Sequence, residues 1–332
     1  MINYFTVVIL LLLFLFVQYN ILYYLNFKIF FLKQKLINRW SNDDCYLVGG
    51  IIFISAIVFL QYLNYYFIKF NFFSNLDVFI LILFYCFGFY DDKYNITGKF
   101  KLLIYFLIIV FLTYIYLFEN LNINYLYILF LAIILFIIFV SLSIIDNIDG
   151  LLTSNFIIII LFFSILFFVS ENYNHLFFLL CILIISSFFL FINLLKLNNY
   201  LGDSGSNVLA CVLIIIFLKL NSLNIISNTL NFKNIIFLVG IFSYPLFDII
   251  YVFCYRILNG ISPLQGGADH SSHILTIFFK SKYKMLLVIS ILNLLILIIS
   301  YFVFLNLLNI FYYLAILSSV YFFLFMFILK NK

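Results

Sequence analysis

The chain has 332 residues, of which 67% are hydrophobic and 9% charged, against an apolar share of about 45–50% in an ordinary soluble domain. That composition excludes a soluble enzyme, and five scattered cysteines without a CxxC pair exclude a disulfide framework or a cysteine zinc site. A formal net charge of +5 calls for no nucleic acid, because the bias of basic residues towards one membrane side accounts for it.

A bilayer-spanning helix needs about 20 mostly apolar residues. Eleven segments meet that need, beginning near Tyr4, Tyr46, Phe70, Leu102, Tyr125, Leu151, Leu176, Asn207, Asn234, Met285 and Ile310. The expected fold is all-α, a polytopic integral membrane bundle of about 11 transmembrane helices making one membrane-embedded domain over residues 1–332. The first segment follows "MINYF", which lacks the basic stretch of a signal peptide, so it reads as a retained helix.

Basic residues set the orientation. With the N-terminus outside, the inside segments carry Lys28, Lys33, Lys35, Arg39, Lys93, Lys99, Lys101, Lys196, Arg256, Lys280, Lys282, Lys284, Lys330 and Lys332, leaving only Lys69, Lys219 and Lys233 outside. The expected topology is therefore N-out and C-in. Every glycine but Gly240, and two of the three histidines, then fall on the inside. Glycine in a loop marks a turn or a close backbone approach. Gathered with acids and histidines on one face, these glycines point to one site assembled from several loops.

Four inside loops carry the chemistry. In "GFYDDKYNITGKFKLL", Asp91 and Asp92 sit where a helix meets the cytoplasm, followed by Lys93, Lys99 and Lys101. Adjacent carboxylates repel, so one can titrate high and act as a base, or both can face a cation. In "SIIDNIDGLLTS", Asp146 and Asp149 share a face at i, i+3 spacing if the segment is helical. This loop holds no Lys or Arg, so a metal or a ligand donor is the partner expected for its acids. In "NYLGDSGSNVLA", Gly202 and Gly205 bracket Asp203, with Ser204 and Ser206 ahead of the eighth span. Small residues before a helix present N–H groups to phosphate, and a carboxylate there suits Mg²⁺. An ordinary Gly/Ser turn with a capping Asp explains the same residues. In "RILNGISPLQGGADHSSHIL", Arg256, Asp269, His270 and His273 supply cationic and hydrogen-bonding groups that suit a diphosphate.

In order, these loops resemble the polyprenyl-phosphate N-acetylhexosamine-1-phosphate transferases, the membrane family that includes phospho-N-acetylmuramoyl-pentapeptide transferase. The resemblance runs from "LVGGIIF" to "DHSSHIL". It implies that Asp91 and Asp92 lie at the catalytic centre, with Asp92 also near the metal. It further implies that Asp203 is a Mg²⁺ ligand, with Mn²⁺ as a substitute, and that Asp149 takes part in uridine recognition. Asn193 matches an Asn of the nucleotide pocket and Lys101 a site lysine, while Asp146, His270 and His273 complete the catalytic set. Asp269, Gly202 and Ser204 join the substrate-binding residues. The "DHSSH" loop, without the three-His run of the muramoyl-pentapeptide branch, favours a UDP-N-acetylhexosamine donor and a polyprenyl phosphate acceptor. The chain departs from the family pattern at Ser143, Asn198, Ala268 and Ile274, the last three of which remove basic residues.

The implied reaction moves N-acetylhexosamine 1-phosphate, GlcNAc-1-phosphate foremost, onto the lipid phosphate at the cytoplasmic face of the inner membrane and releases UMP. Alternatives left open are a catalytically weakened or inactive relative of the family and a polytopic transporter; a homodimer is compatible with the sequence. A transporter would place its ionisable residues near the bilayer midplane on interrupted helices, whereas these cluster at one set of helix ends.

Overall fold

The computed structural model describes residues 2–24, 31–32, 45–118, 125–195, 199–223, 225, 232–262, 267, 269–305 and 308–330. Among them are thirteen α-helices and three very short strands, an all-α polytopic membrane protein. Nine of the helices are long and apolar enough to cross a bilayer, and a bent helix pair makes a tenth. The expected third span is a 20-residue helix, but Asp77, Asp91, Asp92 and Lys93 make it more polar than the nine. The described residues form two compact units, 1–96 with 152–217, and 97–151 with 218–332.

The first unit holds α1 (Ile2–Tyr24), α2 (Gly49–Leu63), α3 (Asn75–Tyr94), α7 (Tyr173–Leu194), nearly all of α6 (Leu151–Val169) and all but the last turn of α8 (Gly202–Ser222). A π-helical turn, Asn64–Ile68, extends α2 and stops at Lys69 in the left-handed conformation, φ 57°. Ser74 caps α3 in a reciprocal capping box with Asp77, which satisfies two of the N–H groups every helix start leaves open. The core is aromatic: Phe53 packs against Phe156 and Phe189, and Phe72 stacks on Phe178 with ring centroids 4.4 Å apart. Strands were not expected. β1 (Phe31–Leu32), β2 (Cys45–Leu47) and β3 (Asn199–Tyr200) form a small sheet, antiparallel between β1 and β2 and parallel between β2 and β3. The parallel pair ties the chain entering α2 to the chain entering α8.

The second unit holds α4 (Gly98–Phe118), α5 (Tyr125–Ile144), α9 (Phe232–Ile241), α10 (Ser243–Leu258), α11 (Ser271–Phe279), α12 (Lys282–Phe304) and α13 (Ile310–Lys330). The segment beginning near Asn234, read from sequence as one span, is two helices bent by 82° at Phe242. Pro245 explains the break. It has no N–H for the preceding turn, and its ring clashes with the carbonyl four residues back, so it is tolerated only in the first turn of a new helix. At Gly240 a β-carbon would collide with the Tyr313 and Ser300 hydroxyls, which themselves bond at 2.8 Å. α11 lies inside the stretch read from sequence as a loop. Its N-cap is His270, which makes no side-chain capping bond of its own.

Candidate functional site

The first unit brings Asp92 and Asp203 together across 111 positions of sequence. Asp203 and Ser204 open α8, where the first N–H groups lack partners within the helix. The N–H of Asp203 donates to Asp92 Oδ1 at 2.8 Å and that of Ser204 to Oδ2 at 3.0 Å. Asp92 of α3 thus caps α8 from outside it. Glycines permit the approach. A β-carbon at Gly88 would lie 2.6 Å from the Asp203 carbonyl oxygen and the Ser204 Cα, and one at Gly50 would run into the Ser204 side chain. Gly202 has φ +72°, and its missing β-carbon leaves room for the Asp92 carboxylate.

Burial and a neighbouring acid act together at this junction. Asp91 and Asp92 lie in the last turn of α3, past its apolar stretch, and both are buried. Burial first, and then the Asp203 carboxylate, raise the Asp92 carboxyl above the usual carboxylate range, against the pull of the hydrogen bonds from Ser204 and Asp203. Two carboxylates share a partly dry site, the condition in which a cation or a proton is favoured. Asp91 is placed differently. Its Oδ1 accepts the Ile96 N–H at 2.7 Å, while Asn95 adopts φ 51° and bonds back to the Asp91 carbonyl, so Asp91 shapes the exit from α3. Asn193 donates to the Asn199 carbonyl at 2.7 Å and so fixes β3, just ahead of Gly202.

The second unit gathers the other predicted residues. The turn at 145–150 ends in Gly150 at φ 81°, a value costly for any residue with a β-carbon. Within it Asn147 Oδ1 accepts the Ser272 hydroxyl at 2.8 Å, which joins the Asp146–Asp149 turn to α11. Lys282, at the start of α12, lies 3.1 Å from Asp149. The partner expected for these acids was a metal or a ligand donor; for Asp149 a base takes that place, 133 residues later in the chain. Lys101 lies over the Tyr105 ring within α4.

Around α11 the polar groups form a chain. Arg256 of α10 donates from Nε and Nη2 to the two oxygens of Asp269, each at 2.7 Å. Burial would raise the Asp269 carboxyl, but the Arg256 guanidinium outweighs it and holds the group below the usual carboxylate range. Gly267 makes the clamp fit, since a β-carbon there would lie 2.8 Å from the Asp269 carboxylate. Asp248, 1% exposed on α10, meets His270 Nδ1 at 2.7 Å and accepts the Ser271 N–H at 2.9 Å as well as the Ser271 hydroxyl. The Tyr244 hydroxyl lies 3.2 Å from that of Ser271. Burial, then repulsion from His270, lower His273 to about 4, so His273 is a neutral hydrogen-bonding group at neutral pH.

The sequence reading missed Asp248, Lys282, Asn147 and Gly88. Asp248 was within reach: an acid inside the apolar run "FSYPLFDIIYVF" is a functional candidate by cost alone. Of the named departures, Ser143 donates to the Val140 carbonyl within α5, and Asn198 and Ala268 lie outside the described residues.

The family model described as glycosyl transferase family 4 matches residues 75–221. That stretch includes Asp91, Asp92, Lys101, Asp146, Asp149, Asn193 and Asp203 and ends before α10 and α11 begin. No curated protein matches the chain.

Proposed function

We propose that the chain, whose residues 75–221 match the glycosyl transferase family 4 model and whose loops resemble the polyprenyl-phosphate sugar-1-phosphate transferases, transfers N-acetylhexosamine 1-phosphate from a UDP-sugar to a polyprenyl phosphate. GlcNAc-1-phosphate is the favoured group, and the product starts a lipid-linked surface glycan. The observation that carries this reading is the Asp92–Asp203 junction, where acids from distant motifs are packed against a helix N-terminus. The apolar helices suit an acceptor with a lipid tail, and the polar helix ends suit a nucleotide that arrives from water.

The donor set fits a divalent cation. Among the described residues, no three His, Cys, Asp or Glu side chains cluster to hold a metal. Mg²⁺ does not require that, since it commonly takes one or two carboxylates and completes its shell with water and substrate phosphates. Asp203 and Asp92 would hold Mg²⁺, or Mn²⁺ in its place, and the bound ion would neutralise diphosphate charge. A transition state rich in phosphoryl oxygens is served mainly by positioning and charge.

In the proposed reaction an oxygen of the lipid phosphate attacks the β-phosphorus of the UDP-sugar. The bond from β-phosphorus to the bridging oxygen breaks, and UMP leaves with that oxygen. Asp91 or Asp92 takes any proton on the attacking phosphate. His270, His273 and Lys101 donate or accept hydrogen bonds at the diphosphate. Asp149, held by Lys282, accepts from the uracil, and Asp146 supports the same turn.

The basic residues that set the N-out, C-in orientation support a site facing the cytoplasm. One experiment tests reaction and orientation together. Inside-out membrane vesicles containing the protein, given undecaprenyl phosphate, Mg²⁺ and radiolabelled UDP-N-acetylglucosamine, should form labelled lipid and UMP, while sealed right-side-out vesicles should not. Label transfer in right-side-out vesicles alone would refute the orientation. Absence of transfer in detergent with every UDP-N-acetylhexosamine would refute the reaction.

A further inference from the structure

Asp248 belongs to no motif that led to the functional reading, yet three polar groups converge on its carboxylate. A carboxylate buried to 1% exposure is costly unless hydrogen bonds replace its water. Here the replacement comes from two consecutive residues. Oδ1 accepts the N–H and the hydroxyl of Ser271, and Oδ2 faces His270 Nδ1 at 2.7 Å. An ionised carboxylate only accepts, so the hydrogen between Asp248 and His270 sits on Nδ1. The geometry points to Asp248 as a positioning residue that fixes the tautomer and aim of His270, so that the imidazole offers Nε2 to the diphosphate of the substrate.

Tethering alone does not account for the contact. Arg256, two turns further along α10, already grips Asp269 through two bonds of 2.7 Å. The N–H groups at the start of α11 need only an acceptor, which Ser, Thr, Asp or Asn at the N-cap would supply. The N-cap instead is His270, which makes no capping bond, and the acceptor reaches across from α10. α10 therefore holds residues 269, 270 and 271 in succession, and only the middle grip orients a ring. A carboxylate behind a metal-bound imidazole does the same, and its loss typically costs about 10–100-fold in metal affinity or activity.

The inference rests on the proposed phosphotransfer for the role of Nε2, but the tautomer itself can be read without turnover. In full-length protein labelled with ¹⁵N-histidine and held in nanodiscs, His270, assigned by its loss in His270→Gln, should show protonated Nδ1 in wild type. Asp248→Asn should abolish that signature, and Asp248→Glu should keep it. In the transfer assay Asp248→Asn should lower kcat by about 10–100-fold, with a smaller change in KM for the UDP-sugar. Placed on His270→Gln, the same change should cost less than about twofold more, because the two residues act as a unit. Protonated Nε2 with bare Nδ1 in wild type would overturn the proposal, and so would losses that multiply as independent effects in the double variant. Wild-type protein inactive on every UDP-sugar but carrying the Nδ1 signature would sink the reaction while leaving the Asp248–His270 dyad standing.

Discussion

At the start of α8, Asp92 of α3 takes up the open N–H groups of Asp203 and Ser204; at the start of α11, Asp248 of α10 takes up that of Ser271. The device is the same, a buried carboxylate that caps a helix from a neighbouring one. The surroundings differ. At α8 the capping acid faces a second acid, Asp203, and the helices meet backbone to backbone through glycines. At α11 the capping acid faces an imidazole, and Arg256 answers the next acid along. At the first junction two carboxylates meet, and at the second an acid meets an imidazole. A cation is the natural guest of the first, and a phosphate-bearing ligand meets less resistance at the second.

The sharpest way to break that contrast is Asp203→Asn, which keeps the shape of the α8 start and removes one of its two carboxylates. Turnover should fall at any UDP-sugar concentration by about two to three orders of magnitude, the scale for losing a single electrostatic group at a reacting centre. The protein should remain folded, because the asparagine no longer repels Asp92. Measurable Mg²⁺-dependent transfer by this variant, at a rate near wild type, would sink the metal assignment.

Packing offers a second contrast. Gly88→Ala places a β-carbon 2.6 Å from backbone atoms of Asp203 and Ser204, whereas Gly267→Ala meets the Asp269 side chain at 2.8 Å. Backbone cannot swing aside and a carboxylate can. Overpacking typically costs about 1–3 kcal/mol. Gly88→Ala should therefore lower the melting temperature by several degrees and Gly267→Ala by less, as read in matched detergent. Equal shifts would show that the α3–α8 approach is no tighter than the loop.

The motif residues of the first junction were legible in sequence, since acids and glycines stand out in a chain with 9% charged residues. What Asp92 does was not. Its contact with α8 is a product of helix packing across 111 positions, and no local pattern encodes it. Lys282 was hidden for the same reason. The apolar segments marked where the long helices lie, but a window of hydrophobicity cannot see that Pro245 makes one segment into two, or that α3 carries its acids within the helix. The β2–β3 pairing joins residues about 150 positions apart, and two- and three-residue strands leave no alternation to detect. Asp248 is the instructive omission: cost alone marked it, and the search for motifs passed over it.

Asp149 is the next test, and its expected effect is smaller. Lys282 holds its carboxylate at 3.1 Å, with both side chains about a quarter exposed, so the ion pair itself contributes little. If Asp149 accepts a hydrogen bond from the uracil, Asp149→Asn removes a charge-assisted bond worth about 1.5–3 kcal/mol. KM for the UDP-sugar should then rise by roughly one to two orders of magnitude, with the Mg²⁺ requirement intact and turnover partly recovered at high donor. Lys282→Met should raise KM by less, since the acid stays in place and only its orientation loosens. A loss of kcat at saturating donor in Asp149→Asn would move this residue into the reacting centre.

The smallest effect expected is a pH dependence of stability from His273. Burial comes first among the causes that lower it from 6.5 to about 4, followed by repulsion from His270, and the nearby Asp248 and Asp269 only partly oppose them. Between those two values the unfolded chain binds a proton that the folded protein excludes. Stability from this group is therefore fully present above about 6.5 and drains away as the pH falls towards 4. The melting temperature in nanodiscs should decline by a few degrees as pH drops from 7 to 4.5, on the scale of about 2–4 °C per kcal/mol for a chain this large. His273→Gln, which cannot take up a proton, should melt with a flatter profile over the same range, even if its melting temperature at pH 7 is lower. Parallel profiles for the two proteins would mean that His273 is open to water, and would remove the reason for treating it as a neutral partner of the diphosphate.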